Sequence, residues 1–183
     1  MSAARLFTVG HGTRTTDELV EVLRSGDVTR IVDVRRHPGS RRQPHLGRTA
    51  LEADLPSAGI AYEWAGETLG GRRSRTATSR HPAWRNPSFQ GYADHMDTAE
   101  FHTAFSALLE GLPTAGATAV MCSETVWWRC HRRLLADAAV LRGVEVVHLL
   151  SAGHHAAHVL HPDARRGKDG WPVYDGGQEP LLP

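Results

Sequence analysis

The sequence predicts one α/β domain of Rossmann-like type, with a mostly parallel sheet and helices on both faces. Three observations predict it. Short β-branched apolar runs alternate with segments of helical period along most of the chain. Glycine and proline punctuate the ends of those segments. The 183 residues, 40% hydrophobic and 22% charged, suit a single core. The domain is expected to occupy residues 1–165, with 166–183 as a C-terminal tail.

The elements follow in order. Leu6 to Val9 reads as a first strand ending in Gly10-His11-Gly12. Thr15 stands three residues before Glu18, a capping box that opens a helix carrying Leu19, Val20, Val22 and Leu23. Ile31 to Val34 is short and β-branched, as in a strand buried on both faces. It breaks at Arg35-Arg36-His37-Pro38-Gly39-Ser40-Arg41-Arg42, where Pro-Gly turns the chain. Thr49 to Glu52 reads as a second capping box, its helix ending before Gly59, and Ile60 to Trp64 as a third strand. Gly66 to Gln90 lacks an apolar period and is expected to be a long functional loop. Ala93 to Leu112 is helical, with a break near Asp97-Thr98. Thr118 to Met121 is a fourth strand, Arg129 to Arg142 a helix, and Val144 to Leu150 a fifth strand. A short helix is expected around His154 to Leu160.

In parallel α/β sheets ligands bind beyond the carboxyl ends of the strands. That rule gathers His11, the first arginine cluster, the Gly/Arg loop, Cys122 with Glu124, and His148 on one rim. Composition narrows the chemistry. The net charge of +1 provides no large basic field for long nucleic acid. Of 21 basic residues only Lys168 is lysine, and the arginines cluster at 35–42, 72–85 and 129–133. Guanidinium grips phosphate or carboxylate bidentately. Two cysteines are too few for a disulfide scaffold, and no apolar run is long enough for a membrane span, so a reduced, cytoplasmic setting without membrane association is expected.

The densest signal is the stretch Cys122 to Arg133, which joins a buried strand to a helix. Glu124 is a candidate general base or nucleophile; alternatively it only orients the loop through an ion pair with Arg129 or Arg132. Cys122 and Cys130 read as buried packing residues, or one of them as a reactive thiolate. With His131 they offer metal ligands, but no fourth ligand has suitable spacing, so no metal and no cofactor are expected. Arg35, Arg36, Ser40, Arg41, Arg129 and Arg132 are candidate phosphate ligands, with Gly10-His11-Gly12 alongside. Tyr92, Trp127 and Trp128 are candidate platforms for stacking on a base. His148, His154, His155, His158 and His161 lack the glutamate of a metalloprotease helix and are expected at the surface, or singly facing the pocket.

Thr8-Val9-Gly10-His11-Gly12, Val32-Asp33-Val34-Arg35 through Arg42, Gly91-Tyr92, and Cys122 through Arg133 together resemble the bacterial domain of unknown function 488 family, from about residue 5 to residue 165. The resemblance implies a single-domain α/β protein of unassigned activity. Its signature positions fall on His11, Asp33, Arg35, Cys122, Glu124, Cys130, His131 and Arg132, with Tyr92 a looser match. Asp33 is read as structural or site-orienting.

The resulting functional expectation is an enzyme acting on a nucleotide or nucleic-acid segment. Arginines hold the phosphate, and Glu124 acts on a sugar or base carbon, directly or through water. N-glycosidic hydrolysis fits a carboxylate beside an oxocarbenium-like centre, with His11 or His131 protonating the leaving base. Two alternatives stand beside it: a non-catalytic module that recognises nucleic acid or nucleotide, and a thiol enzyme using Cys122 or Cys130.

Overall fold

A computed structural model describes residues 4–39 and 41–177. Six strands form one sheet: β1 (Arg5–Gly10), β2 (Val28–Asp33), β3 (Ala61–Trp64), β4 (Ala117–Cys122), β5 (Glu145–Ser151) and β6 (His154–Ala157). Their spatial order is β3-β2-β4-β1-β5-β6, parallel throughout except for the antiparallel β5–β6 pair. Every residue of the central strand β4 is buried, which is why its sequence, Ala-Thr-Ala-Val-Met-Cys, shows almost no polar alternation.

Side chains alternate between two cores. Phe7, Val9, Ile31, Ala119 and Met121 pack with α1 (Thr16–Arg24) and α2 (Arg48–Asp54) on one face. Leu6, Val32 and Val120 pack on the other with α4 (Pro87–His95), α5 (Ala99–Glu110) and α6 (Arg132–Val140). The α/β architecture with helices on both faces is therefore the one expected. The connections after β1 and β2 leave toward one face, whereas that after β4 leaves toward the other. The neighbouring ends of β1, β4 and β2 thus form a topological switch point, where a crevice opens.

Local signals explain most boundaries. The Thr15–Glu18 capping box forms reciprocally. At α2 it does not: the helix begins at Arg48 with no side-chain cap, and Glu52 instead accepts from Arg48 Nε at 2.7 Å. The region between Gly66 and Gln90 is not all loop. It holds α3 (Gly66–Leu69) and the start of α4, where Asn86 caps the backbone N–H groups of Ser88 and Phe89 ahead of Pro87. The chain breaks between α4 and α5 at Asp97-Thr98, as expected. A short 3-10 turn, Trp127–Arg129, precedes α6, so Cys130 and His131 lie ahead of the helix.

The predicted helix at His154 to Leu160 is instead β6. Gly153, at φ +72°, turns the chain back, and an unpaired β5 edge receives it. The sequence predicts a tail over residues 166–183. Within them, β8 (Pro172–Tyr174) pairs with β7 (Ala164–Arg166), and Trp171, Val173 and Tyr174 are buried. Trp171 and Tyr174 join the same core as α5 and α6. No helix among the described residues is long and apolar enough to cross a membrane.

Candidate functional site

The site is built where β1, β2 and β4 end. Beyond the strands, His11 N–H donates to the Cys122 carbonyl at 2.9 Å and Gly12 N–H to the Ser123 carbonyl at 3.0 Å, which draws the segment after β4 across the end of β1. Gly10 makes this possible: a Cβ there would lie 2.0 Å from the Glu124 carbonyl oxygen.

Arg35 follows β2 and its guanidinium is held by protein groups. Its Nε and Nη2 reach Asp33 Oδ1 and Oδ2 at 2.9 and 2.6 Å, and its Nη1 reaches the Leu46 carbonyl at 2.8 Å. Tyr62 completes the cage by donating to Asp33 Oδ2 at 2.5 Å. The same Nη1 lies 2.9 Å from His11 Nε2. Arginine has only donors, so Nε2 accepts and the His11 proton sits on Nδ1, facing the Gly12 carbonyl at 2.9 Å. Burial, and then the charge of Arg35, push His11 down to about 4. Arg35, expected at phosphate, thus neutralises a wholly buried aspartate. Arg132, also expected at phosphate, is 1% exposed; it donates to Thr8 Oγ1 at 3.2 Å and to the Glu124 carbonyl.

Two cavities open above this floor. One, of about 490 Å³, is lined among others by Glu124, Arg129, Trp128, Phe89 and Tyr92. The other, of about 310 Å³, is lined among others by Arg36, His37, His11 and Arg35. They share a wall made of Gly71, Arg72, Cys122 and His131. The exposed cations at this mouth are Arg36, Arg72 and Arg129. Arg72 adopts φ +58°, a left-handed backbone that costs a side-chain-bearing residue energy, and its carbonyl accepts from Arg36 Nη1 at 3.1 Å. Arg41 is exposed and lines neither cavity; Ser40 lies outside the described residues.

At the shared wall, ligand atoms of Cys122, Cys130 and His131 all lie within 4.8 Å of one another. Both thiols are free and buried. The neighbouring Cys122 thiol, and then the Arg132 guanidinium, hold the Cys130 thiol below its ordinary range, against the effect of burial. Cys122 moves up, through its proximity to Cys130 and through burial. Cys130 Sγ is 3.7 Å from His131 Nδ1. His131 is wedged between Gly71 and the Tyr92 ring, whose centroids lie 4.8 Å apart in the ring pair. Tyr92, 1% exposed, is fixed by its hydroxyl donating to the Leu69 carbonyl at 2.7 Å. It backs the histidine, which leaves no free ring face for a base to stack on.

Residues 15–139, more than half of the chain, match the family model described as domain of unknown function DUF488. The chain belongs to the DUF488 family. The matched span holds Asp33, Arg35, Tyr92, Cys122, Glu124, Cys130, His131 and Arg132, whereas His11 and His148 fall outside it. No curated protein and no solved structure matches the chain.

In this DUF488 chain Glu124 lines the larger cavity, and its Oε1 accepts from Val126 N–H at 3.0 Å. The ion pair with Arg129 or Arg132 is not among the salt bridges of the described residues. Trp128 is half exposed at the cavity. Trp127, expected to stack on substrate, lies flat on His148 with centroids 4.1 Å apart and lines neither cavity.

His148 and His158 are not surface residues. Arg132 donates to Thr8 Oγ1, whose hydroxyl donates to His148 Nδ1 at 2.7 Å; His148 Nε2 meets His158 Nδ1 at 3.0 Å, and His158 Nε2 meets Asp137 Oδ1 at 2.8 Å. Tyr174 donates to Asp137 Oδ2 at 2.9 Å. The chain of donors has one consistent direction, from guanidinium to carboxylate, with both imidazoles protonated on Nε2. Sequence reasoning missed this relay because its members come from five separate segments. It also missed Asn86, for which the Asn86-Pro87 helix start was the local signal, and it placed Arg72 only as a member of the 72–85 arginine cluster.

Proposed function

We propose that the protein is a hydrolytic enzyme acting on a phosphate-bearing substrate of the nucleotide class. The observation that carries this reading is the pair of cavities meeting at Cys122 and His131, with Glu124 on one side and Arg36 on the other. Arg36, Arg72 and Arg129 are exposed at the mouth and suit the phosphate, while Arg35 and Arg132 stiffen the floor. Trp128 and Phe89 offer apolar surface to a base or sugar. Glu124, fixed by Val126 N–H, is the acid–base group: it takes a proton from water as the water attacks the anomeric carbon, and it gives that proton to the base nitrogen as the C–N bond breaks and the base leaves.

A panel of nucleoside mono- and diphosphates, incubated with the protein and followed by chromatography, tests the reading. Turnover is expected for at least one, lost in Glu124→Gln, with binding weakened in an Arg36→Ala, Arg72→Ala double variant. Binding without turnover would leave a recognition module in place of an enzyme. A second reading, thiol catalysis, is favoured by the cluster of Cys122, Cys130 and His131 on the cavity wall; it requires that alkylation abolish turnover while Glu124→Gln retains it.

A further inference from the structure

The hydrogen-bonding state of His131 differs from that of His11, His148 and His158, and among the histidines of the described residues its orphaned Nε2 is matched only by His102 Nε2. His11, His148 and His158 direct their nitrogens at oxygen or nitrogen partners. His131 Nδ1 faces the Cys130 sulfur, and its Nε2 is buried with no hydrogen-bond partner. Nδ1 is therefore the ring atom that His131 offers to the two sulfurs. Beside it stand the only two cysteines of the chain, eight residues apart in sequence yet brought together because Cys122 ends β4 and Cys130 precedes α6.

We propose that Cys122, Cys130 and His131 form a binding site for one thiophilic divalent cation of the zinc class, with its fourth position facing the larger cavity. Zinc takes sulfur at about 2.3 Å and nitrogen at about 2.0–2.1 Å, so a tetrahedral site has ligand–ligand edges of about 3.5–3.8 Å. The sulfur–nitrogen edge here is 3.7 Å, and no pair of ligand atoms exceeds 4.8 Å. Closing the remaining gap needs a movement of about an ångström, within the reach of side-chain rotation. Two sulfurs and an imidazole select zinc over the hard cations that prefer oxygen. The sequence argument against a metal was the lack of a fourth protein ligand. A catalytic site requires only three, and keeps the fourth position for water.

The three ligands line the cavity that also holds Glu124 and Arg129. A water on the ion would therefore stand in the compartment assigned to substrate, with its pKa lowered toward neutrality. This catalytic consequence rests on the hydrolytic reading above; the binding of the ion does not.

The test uses the reduced full-length chain, stripped with chelator and titrated with Zn²⁺ and Co²⁺. One ion per chain is expected, with thiolate-to-cobalt charge-transfer bands in the near ultraviolet and intense tetrahedral bands in the red. As these are the only cysteines, any such band reports on this pair. Cys122→Ser and Cys130→Ser are each expected to weaken zinc binding by more than the roughly 10–100-fold that loss of an outer partner costs. His131→Asn should keep the charge-transfer bands and shift the red ones. If a serine variant fails to fold, the unsubstituted chain still decides: stoichiometric zinc must protect both thiols from alkylation. Equal alkylation with and without zinc, or absence of the cobalt bands, overturns the proposal, as does stoichiometric binding by the double serine variant. A bound ion in a protein that turns over no nucleotide upholds this inference while defeating the hydrolytic reading. Turnover by a protein that binds no ion does the reverse.

Discussion

Arg35 Nη1 donates to His11 Nε2 across 2.9 Å, joining the ends of β1 and β2 beneath the site and fixing the imidazole in its Nδ1–H form. The bond works because the rest of the guanidinium is held by Asp33, which is wholly buried. Arg35→Met removes the guanidinium and leaves an aspartate with no cationic partner in the core. Breaking a buried ion pair from one side costs about 3–5 kcal/mol. Urea unfolding at pH 7 should show a loss in that range, whereas a change under about 1 kcal/mol would mean that Asp33 is satisfied by Tyr62 and the backbone alone.

A second prediction concerns acid stability. Burial, then His158 and Arg132, push His148 down to about 3. Thr8 faces it from β1, Trp127 stacks on it, and Asp137 lies behind His158. The unfolded imidazole titrates near 6.5, so the unfolded state takes up protons that the folded state refuses. Stability is therefore intact above pH 6.5 and falls as pH drops from there toward 3, by up to about 1.4 kcal/mol per pH unit for this group. His11, pushed down to about 4, and His95, His102 and His161, also shifted down, add in the same direction. Asp97, Asp169 and Asp175, lowered from 3.8, act only in more acid solution and leave the interval from pH 6.5 to 5 to the histidines. Chemical unfolding at pH 7, 6 and 5 should show the decline, and His148→Gln should flatten it.

The sheet was legible because its strands are buried on both faces and its helices are capped or stopped by local chemistry. The rim position of His11, Cys122 and Glu124 followed from that topology alone. What the sequence hid was direction. Arg35 and Arg36 are adjacent, yet one turns inward to Asp33 and the other outward to the Arg72 carbonyl. Residue type does not distinguish them, because the difference depends on a partner already in the core. The β6 segment was misread for a related reason. Its composition suits helix or strand, and only the open edge of β5 decides. The fate of Trp171 and Tyr174 depended likewise on pockets left by α5 and α6, elements far away in sequence.

Gly10 supplies a third prediction, since a Cβ at this position would collide with backbone. The Glu124 carbonyl, at 2.0 Å, and the Thr125 Cα, at 2.6 Å, belong to the segment that places Glu124 at the cavity. Gly10→Ala should cost about 1–3 kcal/mol as an overpacking change and displace that segment. Gly59, at φ +78° with open space around its Cβ position, is the control: its alanine variant carries only left-handed backbone strain of about 1–2 kcal/mol. Thermal unfolding of both, together with quenching of Trp128 fluorescence, separates the effects. The indole environment should change in Gly10→Ala and stay constant in Gly59→Ala.

The final prediction concerns the C-terminal hairpin. The Trp171 ring lies flat on His102, with centroids 3.8 Å apart, and Arg142 stacks on it at 3.7 Å. Three residues on, Tyr174 donates to Asp137 Oδ2 and seals the relay that ends beside Arg132. Trp171→Ala removes a large ring from a packed core and should cost about 3–5 kcal/mol. Tyr174→Phe keeps the ring but withdraws one of the donors to buried Asp137, at a cost of about 1–3 kcal/mol. A chain truncated after residue 165 combines both losses with that of β8, and is expected to give no cooperative unfolding transition by circular dichroism. If it unfolds cooperatively with an unchanged midpoint, the hairpin is an attachment and not part of the core.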